Sequence, residues 1–340
     1  QEHSQASPPP ATMGILEEAL VAYTYVGLWI SLSAGVILYN KYVLTVFGFP
    51  FPVALTMIHM AFCSSLAFLL VRVFEVVKPI SMTNEIYLNK IVPVGFLFAV
   101  SLWMSNTAYM YLSVAFIQMV KALMPFVVYL VGIAFKVETF SLHTLANMLL
   151  ITLGVCIASY GEMNFHLLGF LLQLGSICAE AIRVVCIQIL LTSADIKLNS
   201  VTTLYYVSPV CFAFLCAPFA FIEMPKMMAS EEVNMNPAVL LSNAAVAFAL
   251  NIAVYLLIGK TSALTMNVAG VVKDWILIFI SSFLFDAPIS NIQLGGYLIA
   301  FLAVCYYNFA KFQSKSAAAP VAPQDGKPEG KSDEKRKPLL

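Results

Sequence analysis

Ten apolar stretches, each close to the length that crosses a bilayer, divide this chain almost end to end. They fall at roughly 18–44, 52–76, 88–111, 115–136, 142–160, 166–191, 199–222, 237–258, 262–284 and 291–313. A helix needs about 20 apolar residues to cross the hydrocarbon. In lipid the backbone must satisfy its own hydrogen bonds, which stretches of this length do as helices. Clusters of Pro, Gly and polar residues separate them, such as FGFPFP (47–52), KVETFS (136–141), GEMNF (161–165) and FDAPIS (285–290). Such clusters end helices. Charged residues make up only 11% of the chain and hydrophobic ones 61%, against about 25% charged in a soluble domain. The expected fold is therefore all-α, a polytopic membrane protein of ten transmembrane helices, and a soluble enzyme core is excluded.

Ten spans place both termini on one side of the membrane. That side carries Arg72, Lys78, Lys90, Lys136, Lys197, Lys260 and the basic residues of the C-terminal segment; the other carries Lys41 and Lys226. The positive-inside bias makes both termini cytosolic. The flanks are polar and Pro-rich, so residues 1–14 and the basic tail 314–340 are expected to be disordered. Met13 is a candidate start, with residues 1–12 upstream of it. A single transporter domain, 15–313, remains.

An internal repeat accompanies the spans. Offset by 149 residues, 113–160 lies on 262–309 without a gap. Ser113 meets Ser262, Ser141 meets Ser290, and Val155-Cys156 meets Val304-Cys305. The domain then divides into repeats of about 15–162 and 163–313. Five spans per half gives the halves opposite topology, a plan of secondary transporters that bind substrate near the midplane.

Five ionisable residues fall mid-span: Lys121, Glu180, Arg183, Lys273 and Asp274. A charge in the bilayer centre is costly and marks a partner, a cavity or a ligand. Glu180 and Arg183 stand three apart, on one helix face, and can pair; Arg183 can also offer a planar fork to a phosphate. Lys121 has no carboxylate in its own helix. Lys121 and Lys273 lie on repeat-equivalent spans, so both read as ligands of a phosphate-bearing anion, or as structural partners of Asp274 and Glu180. Asp274 follows Lys273 by about 100° around the helix and is expected to face another direction. There it orients Lys121 or Arg183, or reads substrate hydroxyls.

Uncharged polar residues extend the candidate site. Ser105 lies in the third span, Tyr205, Tyr206 and Ser208 in the seventh, Asn251 in the eighth and Gly270 in the ninth. Polar residues in lipid also bond neighbouring helices, and the tyrosines can stack a base or sit at the interface. The seven cysteines fall in apolar stretches and read as small buried hydrophobes. No metal-ligand spacing, catalytic triad or GxxxxGK[ST] loop occurs, so no metal, cofactor or ATP-driven step is expected.

SLWMSNTAYMYLSVAFIQMVKALMPF (101–126) resembles the span 3–4 signature of the triose-phosphate/nucleotide-sugar transporters, in the drug/metabolite transporter superfamily. KTSALTMNVAGVVKDWILI (260–278) resembles their span 9 signature, and YNKYVL (39–44) with FPFPVALTMIHM (49–60) fits spans 1–2. The resemblance covers about 15–313. It implies a ten-helix antiporter of two inverted five-helix repeats with both ends cytosolic. In plastid phosphate translocators a span 4 lysine and a span 9 Lys-Arg pair hold phosphate. Lys121 and Lys273 match the lysines, but Asp274 stands in place of the arginine. Leu102 and Ser105 stand where those translocators have His and Thr, and Leu250-Asn251 where they have Tyr-Asn. The Lys-Asp pair is similar to a plant-type Lys/Asp subgroup of endomembrane nucleotide-sugar transporters. The base- and sugar-reading motifs of Golgi GDP-mannose transporters correspond to Tyr205-Tyr206-Val207-Ser208 and Gly270-Val271-Val272-Lys273, without their asparagines.

The functional expectation is an antiporter of the Golgi or endoplasmic reticulum membrane, exchanging a nucleotide sugar, in the first instance a UDP-sugar, for the nucleoside monophosphate. Lys273 and Lys121 would neutralise phosphate, Tyr205 or Tyr206 would pack the base, and Asn251 and Asp274 would read hydroxyls. Its partners are these solutes and membrane lipid, with no nucleic acid; a homodimer stays open. The alternatives are a sugar-phosphate/phosphate antiporter and a non-transporting scaffold acting through the KRKPLL ending.

Overall fold

A computed structural model describes residues 10–79, 82–193, 200–230, 233–258 and 263–317. Side chains are described between 21 and 310, apart from 22, 188, 190–193, 200, 254–258, 263–268 and 271. Among the described residues, helices are the only regular structure. In chain order they are α1 (Pro10–Thr45), α2 (Pro52–Phe68), α3 (Asn84–Ile86), α4 (Val92–Ala108), α5 (Val114–Lys121), α6 (Met124–Ala134) and α7 (Leu142–Tyr160). Then come α8 (Leu167–Ser193), α9 (Ser200–Pro218), α10 (Met224–Ala229), α11 (Pro237–Ile258), α12 (Ala263–Leu284) and α13 (Asn291–Ala317). Turns of π-helix at Leu69–Val73, Tyr87–Ile91 and Phe219–Glu223 prolong α2, join α3 to α4 and join α9 to α10. Seven rods among the described residues are long and apolar enough to cross a membrane: α2 with its π-turn, α3–α4, α5–α6, α7, α8, α9–α10 and α13.

One sequence expectation is corrected at this level. Helix α1 begins at Pro10 and α13 continues to Ala317, each running a few residues into a flank read from the sequence as disordered; 1–9 and 318–340 lie outside the described residues. The fourth span is broken in two. Ala122 and Leu123 bond back three residues, to Met119 and Val120. Pro125, in the first turn of α6, has no N–H for the carbonyl of Lys121.

Local chemistry starts the helices. Ser113, Ser141 and Ser290 accept hydrogen bonds from the backbone N–H three residues on, at 3.1, 3.4 and 3.1 Å, and so cap α5, α7 and α13. Asn236 caps α11 through Ala238 N at 3.0 Å. The cap of α2 comes from elsewhere: Glu223 accepts from Val53 N and Ala54 N, both at 2.8 Å. A carboxylate there meets orphan donors and the positive helix end.

Successive rods alternate in direction. Loops 46–51, 109–113, 161–166, 233–236 and 285–290 gather at one end, the far end. Asn234 N donates to Gly48 O at 3.1 Å, Ser290 Oγ to Gly161 O at 2.6 Å, and Tyr111 stacks on His166. Arg72, Tyr87, Tyr129 and His143 mark the near end, which also holds the first and last described residues. The main core cluster lies largely towards the far end, around Leu44, Phe49, Leu55, Tyr109, Phe116 and Ile117. Large apolar side chains such as Leu153, Phe279 and Leu302 are exposed on the outside, as a lipid-facing surface requires.

Helix α7 packs most extensively on α13, α4 on α8, α2 on α9, and α1 on α11; α5 packs on α12, and α12 also touches α1 and α13. A Cβ on Gly154 would meet Ala300 N at 2.5 Å, so α7 and α13 touch backbone to backbone. Buried polar links join other pairs. Asn243 on α11 bonds both Asn40 on α1, at 3.0 Å, and His59 on α2. Asn106 on α4 donates to Thr56 on α2 at 2.8 Å. Cys63 and Cys211 are buried, but Cys156 and Cys178 are exposed on the apolar surface, which corrects the expectation that all seven are buried.

Candidate functional site

Helices α5 and α12 bring Lys121 and Lys273 to the interior of the bundle. Lys121 ends α5, where Pro125 offers its carbonyl no N–H and the negative helix end favours a cation. Its Nζ lies 6.0 Å from the centre of the Tyr109 ring. Asp274 and Glu180 are close enough to act on it electrostatically, but among the described residues no carboxylate is within ion-pairing distance.

Lys273 pairs with its neighbour: its Nζ is 3.1 Å from Asp274 Oδ1. This corrects the expectation that Asp274 faces another way. The Cα vectors do diverge, but the four-carbon lysine stem is long enough to bend across. The ammonium also lies 5.9 Å from the centre of the Trp29 ring, the ring that a Cβ on Gly270 would touch at 3.9 Å. Gly270 thus gives Trp29 room beside the lysine.

Tyr109 joins the two halves. It is 2% exposed, and both Lys273 and Asp274 act on its hydroxyl. Gln118 lies within hydrogen-bonding reach of that hydroxyl, and its buried amide nitrogen makes no bond of normal length, which is uncommon for a buried donor. Gln173, on the Glu180 face of α8, is buried with both amide atoms unpaired. Trp29, Tyr109 and Gln173 were not picked out from the sequence. Tyr109 stands inside the signature 101–126, so a signal existed; Trp29 and Gln173 carry none beyond residue type.

Glu180 and Arg183 form the expected pair. Arg183 Nε donates to Glu180 Oε2 at 2.8 Å and its Nη2 to Oε1. The guanidinium lies 4.6 Å from the centre of the Phe98 ring. Both fork positions on that edge are thereby engaged by Glu180.

The other candidates sit elsewhere. Tyr205 and Tyr206 lie towards the near end. Arg72 Nε donates to the Tyr205 hydroxyl at 3.0 Å, Phe68 stacks on that ring, and Tyr87 packs edge-on to Tyr206. Ser208 is fully buried and its hydroxyl has no partner. Asn251 donates to Ala247 O of its own helix at 2.9 Å. Ser105 is half-buried, one turn from Ser101, which bonds Ser176 on α8. Two cavities lie apart from the lysines: one of about 490 Å³ near Phe49, Met57 and Leu240, and a polar one of about 510 Å³ between α6, α7 and α13. Among the described residues no cluster of His, Cys, Asp or Glu suits a metal ion.

A helical bundle with apolar exterior rods, several long enough to cross a bilayer, is the architecture of a multi-pass membrane protein. The comparisons narrow this. The model of the Triose-phosphate Transporter family matches residues 20–308. A probable sugar phosphate/phosphate translocator of Arabidopsis thaliana is 53% identical over 306 residues, 89% of this chain and 88% of its own length. Another is 51% identical over 328 residues, covering 95% and 94%, and a more distant one 31% identical over 296 residues, covering 86% and 96%. A solved crystal structure matches with a TM-score of 0.53 at 14% identity, over 89% of this chain and 99% of that one, which bears on the fold alone. The chain belongs to the triose-phosphate transporter family and is a multi-pass membrane transporter.

Proposed function

We propose that this protein exchanges a sugar phosphate for inorganic phosphate, with Lys121 and Lys273 holding the phosphate. The observation that carries the reading is the approach of these lysines from α5 and α12, packed on each other, around Tyr109 and the Gln118 side chain beside its hydroxyl. The relatives named as sugar phosphate/phosphate translocators support the same substrate class. This replaces the nucleotide-sugar expectation. The rings assigned to a base are engaged by Phe68, Tyr87 and Arg72, and the relatives' names favour the sugar-phosphate alternative. The Golgi or endoplasmic reticulum placement rested on the nucleotide-sugar resemblance and goes with it.

The architecture we infer is ten transmembrane helices in two inverted repeats. Rods α1, α2, α3–α4, α5–α6 and α7 correspond to α8, α9–α10, α11, α12 and α13. Under that exchange the contact α4–α8 becomes α11–α1, and α4–α9 becomes α11–α2, while α2–α9, α5–α12 and α7–α13 map onto themselves. All of these contacts are made. Both connectors at the ends of α6 and α12 also place a left-handed residue two positions past the helix, Lys136 with φ 60° and Asp286 with φ 48°. The near end is assigned to the cytosol on its excess of Lys and Arg. Rocking of one repeat against the other would expose the lysines alternately to each side.

The test is counter-exchange in liposomes loaded with inorganic phosphate. Uptake of a sugar phosphate should require internal phosphate. Lys273→Ala and Lys121→Ala should each lower kcat/KM by about 100-fold, as loss of a buried charge partner does, while keeping the wild-type melting profile. Exchange of UDP-sugar for UMP without phosphate exchange would restore the nucleotide-sugar alternative.

A further inference from the structure

Resting on that phosphate reading, we propose that the central site accepts a phosphate with one net negative charge. Each phosphomonoester dianion then enters together with one proton, held on the phosphate.

The charge inventory carries the inference. Arg183 is paired by Glu180 through two hydrogen bonds. Lys273 is paired by Asp274 at 3.1 Å. Lys121 is the central cation that, among the described residues, has no carboxylate within ion-pairing distance. Two lysines meet the substrate, but the carboxylate beside one of them offsets half of their charge. The five groups together carry one positive charge. In a site of low dielectric, uncompensated charge is disfavoured steeply. A singly charged anion cancels the excess; a dianion reverses it and sets its second charge against Asp274.

Among the described residues, the groups facing this pair from each packed element leave the inventory unchanged. Helix α5 presents Lys121 and the neutral Gln118, α1 the Trp29 ring, and α13 Tyr297, which Asp274 reaches electrostatically. Tyr109 comes from the end of α4, and Glu180 and Arg183 come from α8 as an internal pair. The phenols of Tyr109 and Tyr297 carry no charge around neutral pH. Asp274 is thus the group that sets the accepted charge.

The experiment measures uptake of labelled inorganic phosphate into phosphate-loaded liposomes at fixed internal pH, with external pH varied. For the wild type, apparent affinity for total phosphate should fall as pH rises through the second ionisation of phosphate, approaching about tenfold per pH unit. Asp274→Asn should flatten or reverse that slope, and Asp274→Glu should keep it. A wild-type affinity that rises with pH overturns the proposal, as does Asp274→Asn exchanging phosphate on the wild-type slope. Should Asp274→Asn not reconstitute, the wild-type slope alone decides. Wild-type exchange of phosphate with either slope leaves the phosphate reading standing; no phosphate exchange at any pH defeats that reading and the charge rule together.

Discussion

Glu223 holds the N-terminus of α2 from a distance of 170 residues in sequence, through Val53 N and Ala54 N. It is 5% exposed, so water cannot replace it. An amide in its place offers one acceptor and turns its NH2 towards the other donor. Glu223→Gln should therefore lose about 1.5–3 kcal/mol, read as a lower melting temperature in detergent. Glu162, in the connection between α7 and α8, gives a pH signature. It accepts from Gln293 Nε2 at 2.6 Å, but burial pushes its carboxyl above the ordinary glutamate range. A raised folded-state value means that protonation favours the fold. Its contribution is complete below the ordinary glutamate pKa and is lost as pH rises through the raised one. Glu162→Gln should flatten the dependence of melting temperature on pH across that window; an unchanged slope would assign it to other groups. Such single residues show what the sequence can disclose. The five mid-span charges were legible because charge in lipid is expensive. The direction of Asp274 was not, since helical angle fixes Cβ but not where a long lysine ends. The role of Trp29 was hidden because one aromatic among many apolar neighbours carries no pattern.

The break between α5 and α6 belongs to the scale of elements. Pro125 was visible in the sequence, yet the apolar run continues through it, and hydropathy cannot distinguish one helix from two. Physically, the missing N–H frees the carbonyl of Lys121 and the ring crowds the preceding turn. The break therefore determines where the Lys121 ammonium stands relative to Lys273 on the unbroken α12. Pro125→Ala should let one helix run through. We expect the melting temperature to hold or rise while kcat/KM falls by about 10- to 100-fold, because displacing a binding group by about 1 Å has that effect. Wild-type exchange in a well-folded variant would show that the kink does not position the lysine. The α7–α13 crossing works by a different rule. Lipid supplies no hydrophobic drive for helices to meet, so close backbone contact must hold them. Gly154→Leu would force a side chain into Ala300 N and should cost about 1–3 kcal/mol, read by thermal unfolding in detergent. That pair was not legible either: small residues recur along apolar helices, and the sequence does not say which of them face each other.

Over the whole molecule, the alternation of spans was readable because the connectors between them are polar and rich in Pro and Gly. Ser141 and Ser290, which the proposed offset of 149 pairs, both cap helices; the partner position of Ser113, Ser262, lies outside the described residues. The interleaving of rods across the proposed repeats was not readable, because apolar faces in lipid carry no inward periodicity. That interleaving places one tie at the far end. Lys41 on α1 donates from Nζ to Tyr109 O at 2.5 Å and to Leu112 O at 3.1 Å, at the end of α4. Tyr109 lies beside Lys121, so the same residue borders the proposed binding site and the far-end contact. On the proposed alternating-access mechanism, this contact breaks when the far side opens. Lys41→Gln is too short to reach both carbonyls and should shift the population towards the far-open arrangement. A cysteine at Ile117, which is fully buried below the tie, reports it. Placed in protein lacking the native cysteines, Ile117→Cys should react slowly with an impermeant thiol reagent applied from the far side. The reaction should quicken several-fold when Lys41→Gln is added, while labelling from the near side slows. Equal labelling with and without Lys41 would mean that the far-end seal is held by its apolar packing alone, around Leu44, Phe116 and Ile117, and that the tie serves only the end of α4.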